Sequence, residues 1–317
     1  MNAIEIEGLS KDYPTGFLHL RRVRALDGLS LTVQRGEIFG FLGGNGAGKT
    51  TAIKILMRLM APTAGHARIL GQDVADVAVH ARIGYLPEAP YFYDYLTARE
   101  LLEYCAELFG YARPARRARA ADLLRRVSLD ESAWDRQLRK FSKGMLQRVG
   151  LAQALVNDPE VVLLDEPMSG LDPIGRRQVR DLIAALRAGG TTVFFSSHII
   201  ADIEVLCDRV AILNRGRLAH LGRLDDLRQR EDAAGYLEIT VIGAGVAVLE
   251  DALRKVEGAR VTATPAGARI AVPSEQDVDS ALAAARGCGA RLVSVQPVRQ
   301  SLEDLFVGEG RHALHAD

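Results

Sequence analysis

The chain has 317 residues, long enough for a large core and, by size alone, for about two domains. Its hydrophobic share of 48% and charged share of 25% are those of an ordinary globular protein, and 40 basic residues balance 40 acidic ones. That balance excludes an overall field drawing the chain onto nucleic acid or an anionic membrane, so recognition of any partner is local. The 3 cysteines, Cys105, Cys207 and Cys288, are far apart and outside metal-ligand spacing, and are expected to be reduced packing thiols. The opening MNAIEIEGLSKDYP has no basic stretch followed by an apolar one, and nowhere do about 18 apolar residues run unbroken. A cytoplasmic protein is expected; if it works at a membrane, another chain brings it there.

In chain order, residues 4–9 and 29–33 alternate with period 2 and are predicted strands, joined by the basic stretch LRRVR at 20–24. EIFGFL at 37–42 is a buried-strand run that feeds into the glycine loop GGNGAGKTT at 43–51. The following AGKTTAIKILMRLM places Ile53, Leu56, Met57 and Met60 at helical spacing, with Pro62 and Gly65 expected to end the helix. From about 95 to 155 the pattern is mainly helical, and strands return at VVLLDE (161–166), TVFFSS (192–197) and RVAILN (209–214) with helical stretches between them. Such alternation predicts a parallel sheet covered by helices, with a mostly helical insert. A polar stretch at 228–235 reads as a linker. Beyond it YLEITVIG, VAVLEDALRKV, ARVTATPA, ARIAVPS, DVDSALAAARGCG and RLVSVQPV give the order β-α-β-β-α-β, a split βαβ unit.

Gly43, Gly48, Lys49 and Thr50 complete the pattern GxxxxGK[ST] between a strand and a helix. Glycines let successive backbone N–H groups turn in on the β- and γ-phosphates of a nucleotide, the helix N-terminus adds positive potential, and Lys49 adds a point charge. Thr50 offers its hydroxyl to Mg²⁺. The alternative is a glycine-rich turn with a chance GKT, which the flanking strand and helix disfavour. VVLLDE supplies a second half: Asp165, at the strand end, is placed to hold Mg²⁺ through water, and Glu166, facing another way, to orient or deprotonate the attacking water. Taken alone, the pair reads equally well as solvated acids ending a strand.

Three further segments narrow the choice: FSKGMLQR at 141–148, SGLDP at 169–173 and His198 after TVFFSS. With them, residues 4–225 resemble the nucleotide-binding subunits of ATP-binding cassette (ABC) transporters. The resemblance implies an α/β P-loop NTPase cassette, with a RecA-like parallel sheet core, an antiparallel β subdomain and a helical insert, followed by a small C-terminal α+β ferredoxin-like domain. It assigns residues 1–228 to the cassette, with the helical part at about 89–157, 229–235 to a linker, 236–308 to the accessory domain and 309–317 to a tail. ATP would be bound by Gly43, Asn45, Gly46, Gly48, Lys49, Thr50 and Thr51. Tyr13 matches the aromatic that stacks on adenine, although a core or turn tyrosine fits the same position. Ser142 and Gly144 match the signature that caps the γ-phosphate on the opposite subunit, where Lys143 and Met145 depart from the usual Gly and Gln. Asp172 matches the loop crossing the dimer interface, and His198 the switch histidine that contacts the γ-phosphate, which makes Glu166 and His198 the expected catalytic residues. Thr50, Asp165 and Glu88 would serve Mg²⁺, Glu88 standing where many members carry glutamine.

The implied mechanism is a head-to-tail pair of subunits closing on two ATP molecules and coupled to a separate polytopic permease on the cytoplasmic side of the membrane. APYFYDYLTARE at 89–100, together with Glu88, is the expected docking segment, although its rings would also serve to pack the insert. The lone cassette, the FSKGM signature and an extension ending in SLEDLF resemble ABC-2-type exporters. A passive dimer-bracing role is favoured for the extension over binding of a regulator. Two other readings stay open: a soluble ABC ATPase acting on nucleic acid or the ribosome, and a nucleotide kinase. The absence of long coiled coils or a second cassette disfavours the first, and the signature with the Asp165–Glu166 pair the second. Binding to nucleic acid is not expected, and the arginines of 113–126 read as a solvated helix face.

Overall fold

The structure is a computed structural model that describes residues 1–15, 21–223, 237–264 and 267–297. The chain divides into two compact units, Met1–Arg223 and Leu224–Asp317. The expected linker, the SLEDLF ending and the tail lie outside the described residues.

The first unit opens with β1 (Asn2–Thr15) and β2 (Arg21–Gln34), which pair antiparallel along their length. Both strands run beyond the segments expected from alternation, and the basic stretch that was to join them lies largely within β2 from Arg21 onward. Arg24 of this stretch is paired across the ladder, where its Nε donates to Asp12 at 2.8 Å and holds that carboxyl below the usual carboxylate range. β3 (Ile38–Leu42) leads through the glycine loop into α1 (Lys49–Leu56). This helix stops before Met60 and Pro62. Arg58 adopts φ +52, its N–H bonds Ile55 O at 2.9 Å and that of Leu59 bonds Lys54 O at 2.9 Å. Those two bonds close a Schellman turn in which arginine stands where glycine is usual, so the sequence carried no stop signal there.

The next elements are β4 (Ala64–Ile69), β5 (Gln72–Asp73) and β6 (Ile83–Leu86), strands too polar or too short to stand out by alternation. The helical insert holds α2 (Ala98–Leu108), α3 (Arg113–Arg126) and α4 (Lys143–Ala154). Thr97 and Glu100 form a capping box on α2. Trp134, 3% exposed, donates its indole N–H to Leu129 O at 2.9 Å, and the guanidiniums of Arg99 and Arg125 lie 5.2 and 5.4 Å from its ring centroid. Then follow β7 (Val161–Leu164), α5 (Pro173–Ala188), β8 (Thr192–Ser197), α6 (Ile200–Leu206), β9 (Arg209–Asn214) and β10 (Arg217–Arg223).

The strands form a four-stranded antiparallel sheet, β2-β1-β4-β5, and a six-stranded sheet, β10-β9-β3-β8-β7-β6, parallel except for β10. Every residue of β3, β7 and β8 is buried, the mark of strands covered on both faces. One core joins Ile4, Ile6, Leu29 and Leu31 of the first sheet to Phe39, Phe41, Leu163 and Phe194 of the second, with Ile53 and Leu56 of α1 among them. The rings of Phe39 and Phe194 stack at 5.6 Å. At Gly84 on β6 an added Cβ would meet Ala154 O at 2.0 Å, so glycine is what lets α4 lie directly on the sheet.

The second unit holds β11 (Leu237–Ile242), α7 (Val246–Ala252), β12 (Arg260–Thr264), β13 (Gly267–Val272), α8 (Glu275–Gly287) and β14 (Arg291–Pro297). Its sheet is antiparallel in the order β12-β13-β11-β14, the ferredoxin-like arrangement, around Ile239, Val241, Leu249 and Ile270. The 3 cysteines are free thiols, and burial pushes that of Cys105 up to about 11. Among the described residues no helix is long and apolar enough to cross a membrane. Because Phe194 is fully buried against two other rings, Phe194→Ala is expected to destabilise the first unit by about 3–5 kcal/mol, read as a shift of the denaturant unfolding curve followed by circular dichroism.

Candidate functional site

The loop after β3 is shaped by its glycines. Gly48 has φ +107, and a Cβ there would lie 2.4 Å from Ala25 O, so neither the backbone nor the space admits another residue. Gly43 N donates to Ser197 O at 3.2 Å and Gly216 N to Ala47 O at 2.9 Å, which ties both ends of the loop to the sheet. No acidic side chain occupies the first turn of α1, leaving the positive end of the helix free to face an anion. The loop forms one wall of a cavity of about 560 Å³, whose opposite wall is Glu88, Glu166, Ser169 and His198.

Lys49 reaches across that cavity. Its ammonium donates to Gly43 O at 2.6 Å and lies 3.3 Å from Glu166 Oε1. The other oxygen of Glu166 is 2.9 Å from His198 Nδ1. Lys49 and Glu166 are 6% and 8% exposed, so each charge depends on the other for compensation.

Asp165 and Glu166 diverge because the backbone reverses between them. Glu166 has φ +49, a left-handed conformation that costs a non-glycine residue about 1–3 kcal/mol. Ser196 at the end of β8 holds it: its hydroxyl accepts from Glu166 N at 2.9 Å and donates to Asp165 Oδ1 at 2.6 Å. Gln147 of α4 adds a bond to Pro167 O at 3.2 Å. Asp165 is 0% exposed, and its Oδ2 has no protein partner. Burial, with this carboxylate as a lesser cause, pushes the Tyr85 phenol up to about 12.

Of the residues singled out in the sequence, Asn45, Gly46, Gly48, Lys49, Thr50, Thr51, Glu88, Glu166 and His198 line this one cavity. Gly43 sits beneath it, giving its carbonyl to Lys49. Tyr13 is not part of the lining; its hydroxyl lies 3.3 Å from Thr51 Oγ1 and donates to Met60 Sδ at 3.0 Å. Ser142, Gly144 and Asp172 line a different cavity of about 540 Å³. There Ser142 caps α4 through Met145 N, and Asp172 caps α5 through Gly175 N. In the segment after Glu88, Tyr91, Tyr93 and Tyr95 are 95%, 56% and 60% exposed. Sequence reasoning missed Ser196, Ser169 and Gln147. Ser196 had a signal, a hydroxyl directly after the apolar run Val193–Phe195, whereas Gln147 is buried by tertiary packing that no local pattern shows.

A glycine loop opening a helix, faced across one intervening strand by an Asp-Glu pair, defines a nucleoside-triphosphate-binding cassette of the P-loop type. The ABC transporter family model matches residues 26–169. The chain is 44% identical to an uncharacterised ABC transporter ATP-binding protein of Synechocystis, over 98% of this chain and 85% of that one. It is 40% identical to the bacitracin transport ATP-binding protein BcrA of Bacillus licheniformis, over 71% and 73% of the two chains. Its structure is similar, with TM-score 0.65 and 26% identity, to a dimeric ATP-binding cassette in a post-hydrolysis state bound to ADP and Pi, covering 70% of this chain and 98% of that one.

The chain belongs to the ABC transporter ATP-binding proteins. It is an ATP-binding, ATP-hydrolysing transporter subunit, which decides against the nucleic-acid and kinase readings. Ser196→Ala is expected to leave Glu166 N without an acceptor and Asp165 without a donor, lowering kcat about tenfold and stability by about 1–3 kcal/mol. Steady-state ATPase assays beside thermal unfolding read both effects.

Proposed function

We propose that two copies of this chain pair head to tail around two ATP molecules and drive an ABC-2-type exporter. The observation that carries this reading is the separation of two incomplete half-sites on one chain. The first has the phosphate loop, Glu166 and His198; the second has Ser142, Gly144 and Asp172 and lacks a loop. A second copy, turned by a two-fold axis, supplies each half with the other.

Within such a site, the N–H groups of the glycine loop and the Lys49 ammonium bind the β- and γ-phosphates. Tyr13 reaches the loop helix through Thr51, near enough to border the base. Ser142 and Gly144 at the start of α4 face the γ-phosphate from the partner subunit, and Asp172 lies at the crossing between the two. Glu166 then has two tasks that its geometry separates. Oε2 stays on His198, which fixes the carboxylate's direction, while Oε1 is released from Lys49 to accept the proton of the attacking water. The water oxygen bonds to the γ-phosphorus, and the bridging oxygen leaves on ADP with the bonding electrons.

The residues present fit Mg²⁺. Asp165 Oδ2 is buried and unpartnered, and the Thr50 hydroxyl and the Glu88 carboxylate line the adjoining cavity, a hard-oxygen set of the kind that holds this ion partly through water. When bound, it would neutralise charge on the phosphate oxygens.

The exposed tyrosines at 91–95, shortly after Glu88, support docking of a short amphipathic segment of a polytopic permease, with the chain working at the cytoplasmic face of the membrane. Similarity to the bacitracin transport protein supports the exporter assignment. Glu166→Gln is expected to lower kcat about 10²–10⁴-fold while retaining ATP binding, and to accumulate as an ATP-dependent dimer on size-exclusion chromatography. A variant that stays monomeric with saturating ATP and Mg²⁺ contradicts the paired site. Glu88→Gln is expected to keep ATPase activity within about tenfold; complete loss assigns the carboxylate its own chemical task. Affinity purification from gently solubilised membranes is expected to recover a polytopic chain in comparable amount, and recovery of ribosomes or nucleic acid instead rejects the transport reading.

A further inference from the structure

Asp202, on α6, is a buried carboxylate outside the lining of the nucleotide cavity. It is 3% exposed and its Oδ2 makes no hydrogen bond. Its nearest cations stand one turn apart on α5, Arg176 at 3.8 Å and Arg180 at 3.7 Å. These separations exceed hydrogen-bond length, so the attraction is one of charge without a fixed direction, and it survives small displacements of either helix. Burial raises the carboxyl's affinity for a proton, the two guanidiniums and His198 oppose that, and Glu166 reinforces it. The carboxylate also borders a small cavity shared with Glu166, Ser169 and His198.

The other end of this contact lies in the second half-site. Asp172 opens α5, accepting from Gly175 N at 2.7 Å through its side chain and from Arg176 N at 2.9 Å through its carbonyl. Asp172 and Arg176 thus belong to a single helical turn, and Asp172 lines the signature cavity. Asp202 follows His198 by four positions, at the start of α6.

We propose that Asp202 is a positioning residue that ties the first turn of α5, and with it Asp172 at the signature cavity, to the segment that holds His198 against Glu166. The inference rests on the two-subunit reading above, in which those two half-sites serve different nucleotides. Asp202 then joins the two ATP sites within each chain. Closure on one nucleotide moves Asp172, Arg176 moves with it, and the buried carboxylate carries the shift to the histidine of the other site. Linkage makes the coupling reciprocal for binding.

The test uses the full chain, with ATP hydrolysis measured against ATP concentration for the wild type, Asp202→Asn, Asp202→Glu and the double variant Arg176→Gln/Arg180→Gln. The wild type is expected to respond sigmoidally, with a Hill coefficient above about 1.5. Asp202→Asn and the arginine variant are expected to fall to about 1, with kcat lowered about tenfold and half-saturation within about threefold; Asp202→Glu restores sigmoidicity. Should Asp202→Asn fail to fold, the arginine variant decides, because both guanidiniums are partly exposed and the buried carboxyl left without them can take up a proton instead of standing as an unpaired charge. A non-sigmoidal wild type, or unchanged sigmoidicity in the variants even with reduced kcat or Tm, overturns the inference alone. A wild type that forms no dimer with ATP overturns the two-subunit reading, and this inference with it.

Discussion

Lys49 and Glu166 face each other at 3.3 Å in a place where water barely reaches either. An ammonium and a carboxylate in such surroundings are tolerable only while their geometry is held closely, and much of the first unit serves that end. Lys49 is fixed by the glycine loop, which is bonded to the ends of β8 and β9 through Ser197 and Gly216. Glu166 is fixed by a left-handed backbone that Ser196 and Gln147 keep in place. Both supports depend on a sheet buried on its two faces, because the strand ends that present these groups are then unable to slide. In the proposed mechanism the pair also sets the carboxylate beside the phosphate, so that its strain and its buried charge would be aimed at the reacting centre.

The phosphate loop, the paired acids and the order of motifs were legible because each is a local pattern with a local cause. Glycines at Gly46 and Gly48 meet positive φ, and an apolar run ending at Asp165 and Glu166 is a strand edge whatever surrounds it. The ferredoxin-like order of the second unit was legible for the same reason, since its six segments alternate period cleanly. What stayed hidden was set by tertiary contact. β4 and β6 have too little alternation to stand out, and they are strands because β1 and β7 offer them edges. α1 stops at Leu56 because Arg58 takes a conformation usually left to glycine. Gln147 and Asp202 look like ordinary polar helix positions in the sequence, yet both are buried.

The division of motifs between two cavities gives the fold its working logic. The signature serine and glycine sit on the insert, whose α4 packs against β6 over Gly84, while the loop sits on the other side of the central sheet's order. Under the two-subunit proposal, a chain built this way separates its binding groups from the groups that complete them. In the proposed pair of subunits, two partial sites coupled through helices would convert nucleotide chemistry into relative movement, the form of output a permease can use.

The same construction has given the protein a built-in optical probe. Trp134 is the only tryptophan in the chain, and it stands in the insert with the guanidiniums of Arg99 and Arg125 against its ring. Its emission therefore arises from a single environment, without background from the sheets or from the second unit. Because Trp134, Arg99 and Arg125 all belong to the insert, a change in its quantum yield reports rearrangement inside the insert, and rotation of the insert as a rigid body leaves it unaltered.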